Sequence, residues 1–216
     1  MLELGLISHP APTCVLLIGA HCDDIEIGCG GTVFQMSLRW PQTEFVWVTL
    51  SSDGEREQET RRAAMQLLGQ ARHTVRVESF RESYFPSVSA SLKDYFESLK
   101  SPRPDLVFTH YRFDLHQDHR VVNELTWNTF RDHLILEYEI PKFDGDLGVP
   151  NAFVALTEDQ LQHKIRVLLE CFTSQASRSW FTRQTFEAIA RLRGIECNAP
   201  EGYAEAFHVR KSRLHI

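Results

Sequence analysis

Seven consecutive residues, Cys14–Ala20 (CVLLIGA), are apolar, and the run stops on the polar tetrapeptide His21-Cys22-Asp23-Asp24. A short uninterrupted apolar run reads as a strand buried on both faces, which demands helices on both sides of a sheet. The rest of the chain repeats this theme. Strand-like segments at Glu44–Leu50, His73–Glu78, Asp105–Thr109, His133–Glu139, Ala152–Leu156 and Tyr203–Val209 alternate with helical ones. Helices are expected over about Thr32–Arg39, Arg56–Leu68, Ser91–Lys100, Val121–Arg131, Glu158–Phe172 and Phe181–Arg193. Gly69 and Gly194 are placed to end two of them. Such alternation predicts an α/β fold with a mainly parallel sheet. No linker, repeat or low-complexity tract interrupts the sequence, so a single domain over residues 1–216 is expected.

Composition narrows the function classes. A net charge of −6 speaks against a nucleic-acid partner that relies on a basic footprint. The first residues, MLELGLISHPAPT, show neither a basic start nor a cleavage site, so no signal peptide is expected. The apolar runs fall far short of the ~20 residues of a membrane-spanning helix. The five cysteines form no CxxC pair, which points to reduced thiols in a cytoplasmic setting. Ten histidines are an excess, and histidine is the commonest metal ligand.

Ligands of open parallel sheets bind beyond the carboxyl ends of the strands, at the point where strand order reverses. The chemistry-bearing residues sit at such ends. His21, Asp23 and Asp24 follow the first strand; His110, Asp114, His116, Asp118 and His119 follow the fourth. A hydrolytic metal site takes three protein ligands and keeps one position open, and His21, Asp24 and His119 form a natural set. Imidazole and carboxylate suit Zn2+, with Fe2+ as a substitute. Asp23 neighbours a ligand and is the candidate general base. His116 either protonates the leaving group or holds the developing oxyanion, with Asp118 orienting it. Plainer readings exist: Asp23-Asp24 as a solvated turn, and His116–His119 as a helix start whose Asp118 complements the dipole. Two His/Asp clusters at two strand ends favour the joint site. Gly28-Cys29-Gly30-Gly31 reads either as a phosphate cradle or, preferably, as a tight strand-to-helix turn; Val33 stands where a dinucleotide fingerprint needs glycine.

Ala20-His21-Cys22-Asp23-Asp24-Ile25-Glu26-Ile27-Gly28-Cys29-Gly30-Gly31-Thr32 resembles the AHPDDExxGCGGT signature of the PIG-L/LmbE-like N-acetylglucosaminyl deacetylases. His116-Gln117-Asp118-His119 is similar to the family's second element, and Gly54-Glu55-Arg56 with Glu59 to its GE-R-x-x-E helix. Ser174-Gln175 and Ala204-Glu205-Ala206-Phe207 resemble its later elements, so the likeness runs over about residues 14–209. It implies a Rossmann-like three-layer sandwich and a zinc-dependent hydrolase that removes acetyl from an N-acetylated amino sugar. By position it implies His21, Asp24 and His119 as metal ligands, Asp23 as base, His116 as oxyanion or acid residue with Asp118 its partner, and Arg56 as a substrate contact. Homo-oligomers are known in the family. Cys22, Ile25 and Gln117 depart from its pattern, and Cys22 reads as a packed thiol or an extra soft ligand. Trp180 and Phe181 line a sugar pocket or belong to the core, and the segments Ser79–Val88 and Lys142–Asn151 are the expected recognition loops. Competing readings are a hydrolase of a different acylamide and a non-catalytic nucleotide- or sugar-binding module.

Overall fold

A computed structural model describes residues 11–52 and 54–213. The export-signal reading of the N-terminus therefore falls largely outside the described residues, as do His9 and His215. The strands are β1 (Cys14–Gly19), β2 (Glu44–Thr49), β3 (His73–Val77), β4 (Leu106–His110), β5 (Leu134–Tyr138), β6 (Ala152–Leu156) and β7 (Tyr203–His208). The helices are α1 (Asp24–Arg39), α2 (Gly54–Leu68), α3 (Ser89–Ser98), α4 (Gln117–Thr129), α5 (Glu158–Cys171) and α6 (Arg183–Cys197). They build one seven-stranded sheet in the order β3-β2-β1-β4-β5-β7-β6. The first five of these run parallel, and β7 is antiparallel to both of its neighbours. This is the expected mainly parallel α/β architecture.

Period-two alternation sends β1 residues to opposite faces. Val15 and Leu17 join the core under α1, α2, α5 and α6; Leu16 and Ile18 join the core under α3 and α4. Both faces are covered, which is why β1 is apolar throughout. The order reverses between β1 and β4, so the loops leaving these two strands meet at one edge of the sheet.

Three local expectations change. Helix α1 starts at Asp24, not near Thr32, and runs through the glycines with a break at Cys29 (φ −146°, ψ 17°). The break frees backbone groups that a buried ion pair takes up. Glu205 accepts from the Gly31 and Thr32 N–H groups (2.8 and 2.6 Å), and Lys164 Nζ donates to the Ile27 carbonyl (2.6 Å) and to Glu205 (2.6 Å). The N-terminal anion position of the second half-helix is thus filled by the chain's own carboxylate, and the glycines serve close packing. A Cβ on Gly28 would lie 2.2 Å from the Tyr138 ring, and one on Gly31 2.6 Å from Leu156. Helix α4 starts at Gln117, because His116 caps it by accepting from the Asp118 N–H (3.2 Å), so Asp118 and His119 are on its first turn. Helix α6 runs past Gly194 and ends at Asn198 (φ 54°). Gly194 is small because a Cβ there would meet the Gly202 carbonyl at 2.1 Å. Gly69 does end α2 with positive φ.

Among the described residues no helix is long and apolar enough to cross a membrane.

Candidate active site

The β1 and β4 loops bring His21, Asp23, Asp24, His110, Asp114, Asp118 and His119 into one buried cluster, with half-buried His116 at its edge. His21 Nδ1 and His119 Nε2 face each other at 3.2 Å. Asp24 lies 3.5 Å from each of them, through Oδ2 and Oδ1 respectively. A tetrahedral ion bonded at about 2.0–2.1 Å has ligand-to-ligand edges of about 3.3–3.4 Å; the two imidazole nitrogens stand close to that spacing, and the Asp24 carboxylate turns a different oxygen toward each of them. Each imidazole is tied down on its far side. His21 Nε2 donates to Asp118 (3.1 Å) and His119 Nδ1 donates to Asp114 (2.8 Å), leaving the facing nitrogens for the centre. Carboxylates in this relation to histidines are the usual outer support of a metal site. His116 also has a ring nitrogen near those of His21 and His119, and Asp24, His110 and His119 form a further cluster of donors.

The surroundings set the protonation states. Burial disfavours the Asp24 charge, but His119, His110 and His21 hold its carboxyl well below the usual range. Burial and the Asp24 charge push the Asp23 carboxyl up, against His21 and Arg56. Burial would lower His21, yet its bonds to Asp118 and Asp24 raise it to about 10. Burial and His110 hold His119 down to about 4. His116 is lowered by burial and by His21. Its Nδ1 already accepts the Asp118 N–H, so the neutral ring carries its proton on Nε2.

Asp118 sits differently from the expected role beside His116. Its carboxylate takes His21 and the Ser83 and Phe85 N–H groups (2.6 and 3.1 Å), and only its backbone N–H meets the His116 ring. Arg56 donates to Cys22 Sγ (3.2 Å) and to Glu82 (2.6 Å). It faces a cleft of about 310 Å³ with Ser51, Ser52, Ser79, Phe80, Arg81 and Glu82. Cys22 is a buried thiol, raised by burial and by Asp23. Phe181 is buried in the α5–α6 core and Trp180 packs against it, so neither borders that cleft. Of the segments expected to recognise ligand, 79–82 line the cleft, while Lys142 bonds Asp114 (3.0 Å) and Asp146 (2.5 Å) at the edge of the cluster. His208 stacks on Tyr111 at 3.8 Å.

Sequence reasoning did not single out Tyr138, Lys142 or Glu82. Tyr138 donates to the Ile18 carbonyl (2.6 Å) and reaches His110 (3.3 Å). The one signal for it was its place at the carboxyl end of β5, next to β4. Glu59 and Glu205 prove to be supports: Glu59 accepts from Thr173 and Ser174 and so joins α2 to the α5–α6 connection.

The chain has similar relatives among known proteins. The chain is 27% identical over 164 residues to a protein of Escherichia coli (strain K12) named uncharacterized deacetylase YaiS, covering 71% of this chain and 88% of that one. The structure resembles N,N'-diacetylchitobiose deacetylase from Pyrococcus horikoshii (TM-score 0.69, 22% identity, 92% and 84% of the two chains). It resembles equally in fold GalB, the 4-carboxy-2-hydroxymuconate hydratase of Pseudomonas putida KT2440 (TM-score 0.72, 15% identity, 94% and 98%). The sequence profile of the GlcNAc-PI de-N-acetylase (PIG-L) family matches residues 16–130, a span that holds both His/Asp loops, and the chain belongs to that family.

Proposed function

We propose that this protein is a metal-dependent N-deacetylase acting on an N-acetylated amino sugar, with His21, Asp24 and His119 holding the ion. The observation that carries the proposal is the pair of facing imidazole nitrogens at 3.2 Å, each ring anchored on its far side by a carboxylate, with the Asp24 carboxylate 3.5 Å from both. Two imidazoles and one carboxylate are a zinc donor set, and Fe2+ fits the same donors. When bound, such an ion polarises a carbonyl and acidifies water.

The chain's own residues supply the proton handling. The Asp23 carboxylate, made more basic by burial beside Asp24, takes the proton of the attacking water. With Nδ1 occupied by the Asp118 N–H, the His116 Nε2–H is left to donate to the oxygen of the tetrahedral carbon and stabilise its charge. Collapse breaks the C–N bond, and the proton held on Asp23 passes to the departing amine, giving acetate and a free amino sugar. Asp118 and Asp114 keep His21 and His119 in the required tautomers. The cleft with Ser51, Ser52, Arg56 and Arg81 offers hydroxyl and guanidinium groups suited to a sugar's hydroxyls. The diacetylchitobiose deacetylase among the similar structures supports this substrate class. The five thiols, none in a disulfide, suit a cytoplasmic, reducing compartment.

The test is acetate release from N-acetylglucosamine glycosides by protein stripped of metal and then reloaded with Zn2+ or Fe2+. Acetate formed only after reloading supports the proposal. Because the GalB hydratase shares the fold, a metal-reloaded protein that releases no acetate from any N-acetyl sugar, but hydrates an unsaturated acid, would overturn it.

A further inference from the structure

The outer side of α4 carries a second groove, of about 590 Å³, separate from the buried donor cluster. Arg120, Glu124, Trp127 and Asn128 fall on one stripe of α4, spanning ~12 Å along the axis, and line it with Arg131 from the turn that follows the helix. The opposite wall is Arg210 and Lys211, from the segment that follows β7, and Arg112 and Phe113 close one end. Asp118, His119, Val122 and Thr126 occupy the buried side of the same helix; none of the donor residues lines the groove, and Asn123, which does, donates to the His110 carbonyl (2.6 Å).

The charge of this groove runs against the composition of the chain. Five cations line it in a protein of net charge −6. One of them, Arg210, is neutralised by buried Glu137 (2.6 Å). Arg112, Arg120, Arg131 and Lys211 form no ion pair with a carboxylate among the described residues; their polar contacts are main-chain carbonyls, or, for Arg112, the face of the Phe113 ring at 4.6 Å. Arg210 and Lys211 both approach the Trp127 ring, at 4.3 and 5.5 Å. The cations crowd one another: burial and the Arg112 charge together hold Arg210 below its ordinary pKa despite Glu137. Even counting Glu124 and Glu137, three positive charges remain uncompensated. Such crowding is relieved by an anion of matching charge.

We propose that this groove is a binding site for a small oligophosphate, a free molecule carrying two or three linked phosphate groups. Four of the five cations are arginines, whose planar forks match phosphate oxygens in pairs. The Asn128 amide lines the groove as an additional polar contact for ester or hydroxyl oxygens. The ligand is distinct from the deacetylation substrate, since none of the donor residues lines the groove.

Titration calorimetry of the metal-loaded protein with inorganic tripolyphosphate at low ionic strength tests this, alongside the double variant R131Q/K211Q. Neither residue touches the donor cluster, so basal deacetylation should be unchanged, and any chelation at the metal site contributes equally to both proteins. The expected result is saturable binding that weakens with added salt and falls at least tenfold in the double variant. The single variant R112Q, at the other end of the groove, should lose affinity as well. Equal binding by wild type and double variant, or no saturable binding by wild type, overturns the proposal. So does co-sedimentation with phosphatidylglycerol vesicles without tripolyphosphate binding, or a variant whose only change is its oligomeric mass by light scattering.

Discussion

The buried Lys164–Glu205 pair is the most exposed part of the account to a stability measurement. It bridges the break in α1: Glu205 caps two freed N–H groups and Lys164 caps a freed carbonyl, all at 2.6–2.8 Å. Replacing Lys164 by Met keeps the apolar stem but removes the ammonium, leaving a buried carboxylate without its counter-charge and the Ile27 carbonyl without a donor. Breaking a buried pair from one side costs about 3–5 kcal/mol. For a chain of this length each kcal/mol lowers Tm by about 2–4 °C, so K164M should melt roughly 6–20 °C below wild type. The double variant K164M/E205Q removes both charges and should lose less than the sum of the single losses, with a coupling of about 1–3 kcal/mol. Urea unfolding followed by circular dichroism gives all four corners of the cycle. A K164M loss below about 1 kcal/mol, or strict additivity, would refute the reasoning that the pair splints the helix.

Three further outcomes follow from the site. D114N and D118N, which lose the carboxylates behind His119 and His21, should each weaken metal binding by about 10–100-fold in competition with a chelator; unchanged affinity would remove them from that role. Metal uptake near pH 7 should release at least one proton: His21, which sits at about 10 without metal, gives one, and Asp23, raised to about 7, adds a fraction, whereas His119, at about 4, is already neutral. The sign for stability is that the bonds of protonated His21 favour the metal-stripped fold fully below about pH 6.5 and are lost as pH rises through about 10. Calorimetry in two buffers of different ionisation enthalpy counts the proton, and a count of zero contradicts the assignment. G28A puts a Cβ 2.2 Å from the Tyr138 ring and should cost about 1–3 kcal/mol or more, read as a lowered denaturant midpoint.

What could be read before the structure was set by locality. The apolar run of β1 and the polar residues that end it are adjacent in sequence, and the rule for strand ends carries them to one edge of the sheet. His21, Asp24 and His119 needed only the reversal between β1 and β4 to meet. Features built from distant contacts were invisible. Glu205 meets Gly31 and Lys164 meets Ile27 across more than a hundred residues, so the glycine-rich stretch looked like a turn although it lies inside α1. The HQDH stretch suggests a carboxylate that orients His116, whereas the helix that starts at Gln117 turns the Asp118 carboxylate toward His21 and the Ser83–Phe85 backbone. Gly194 looked like a cap because glycine usually is one there; its real constraint, the Gly202 carbonyl, comes from a segment that only the fold brings near. The antiparallel direction of β7 likewise depends on the length and path of the preceding connection, not on any pattern within Tyr203–His208.

In the proposed reaction Asp23 handles the proton at a metal held by His21, Asp24 and His119. The most direct measurement compares acetate release from an N-acetylated amino sugar by wild type and D23N at equal metal content. Turnover by D23N reduced about 10²–10⁴-fold with metal retained is the predicted result. Full turnover by D23N, with the same metal content, would contradict the account.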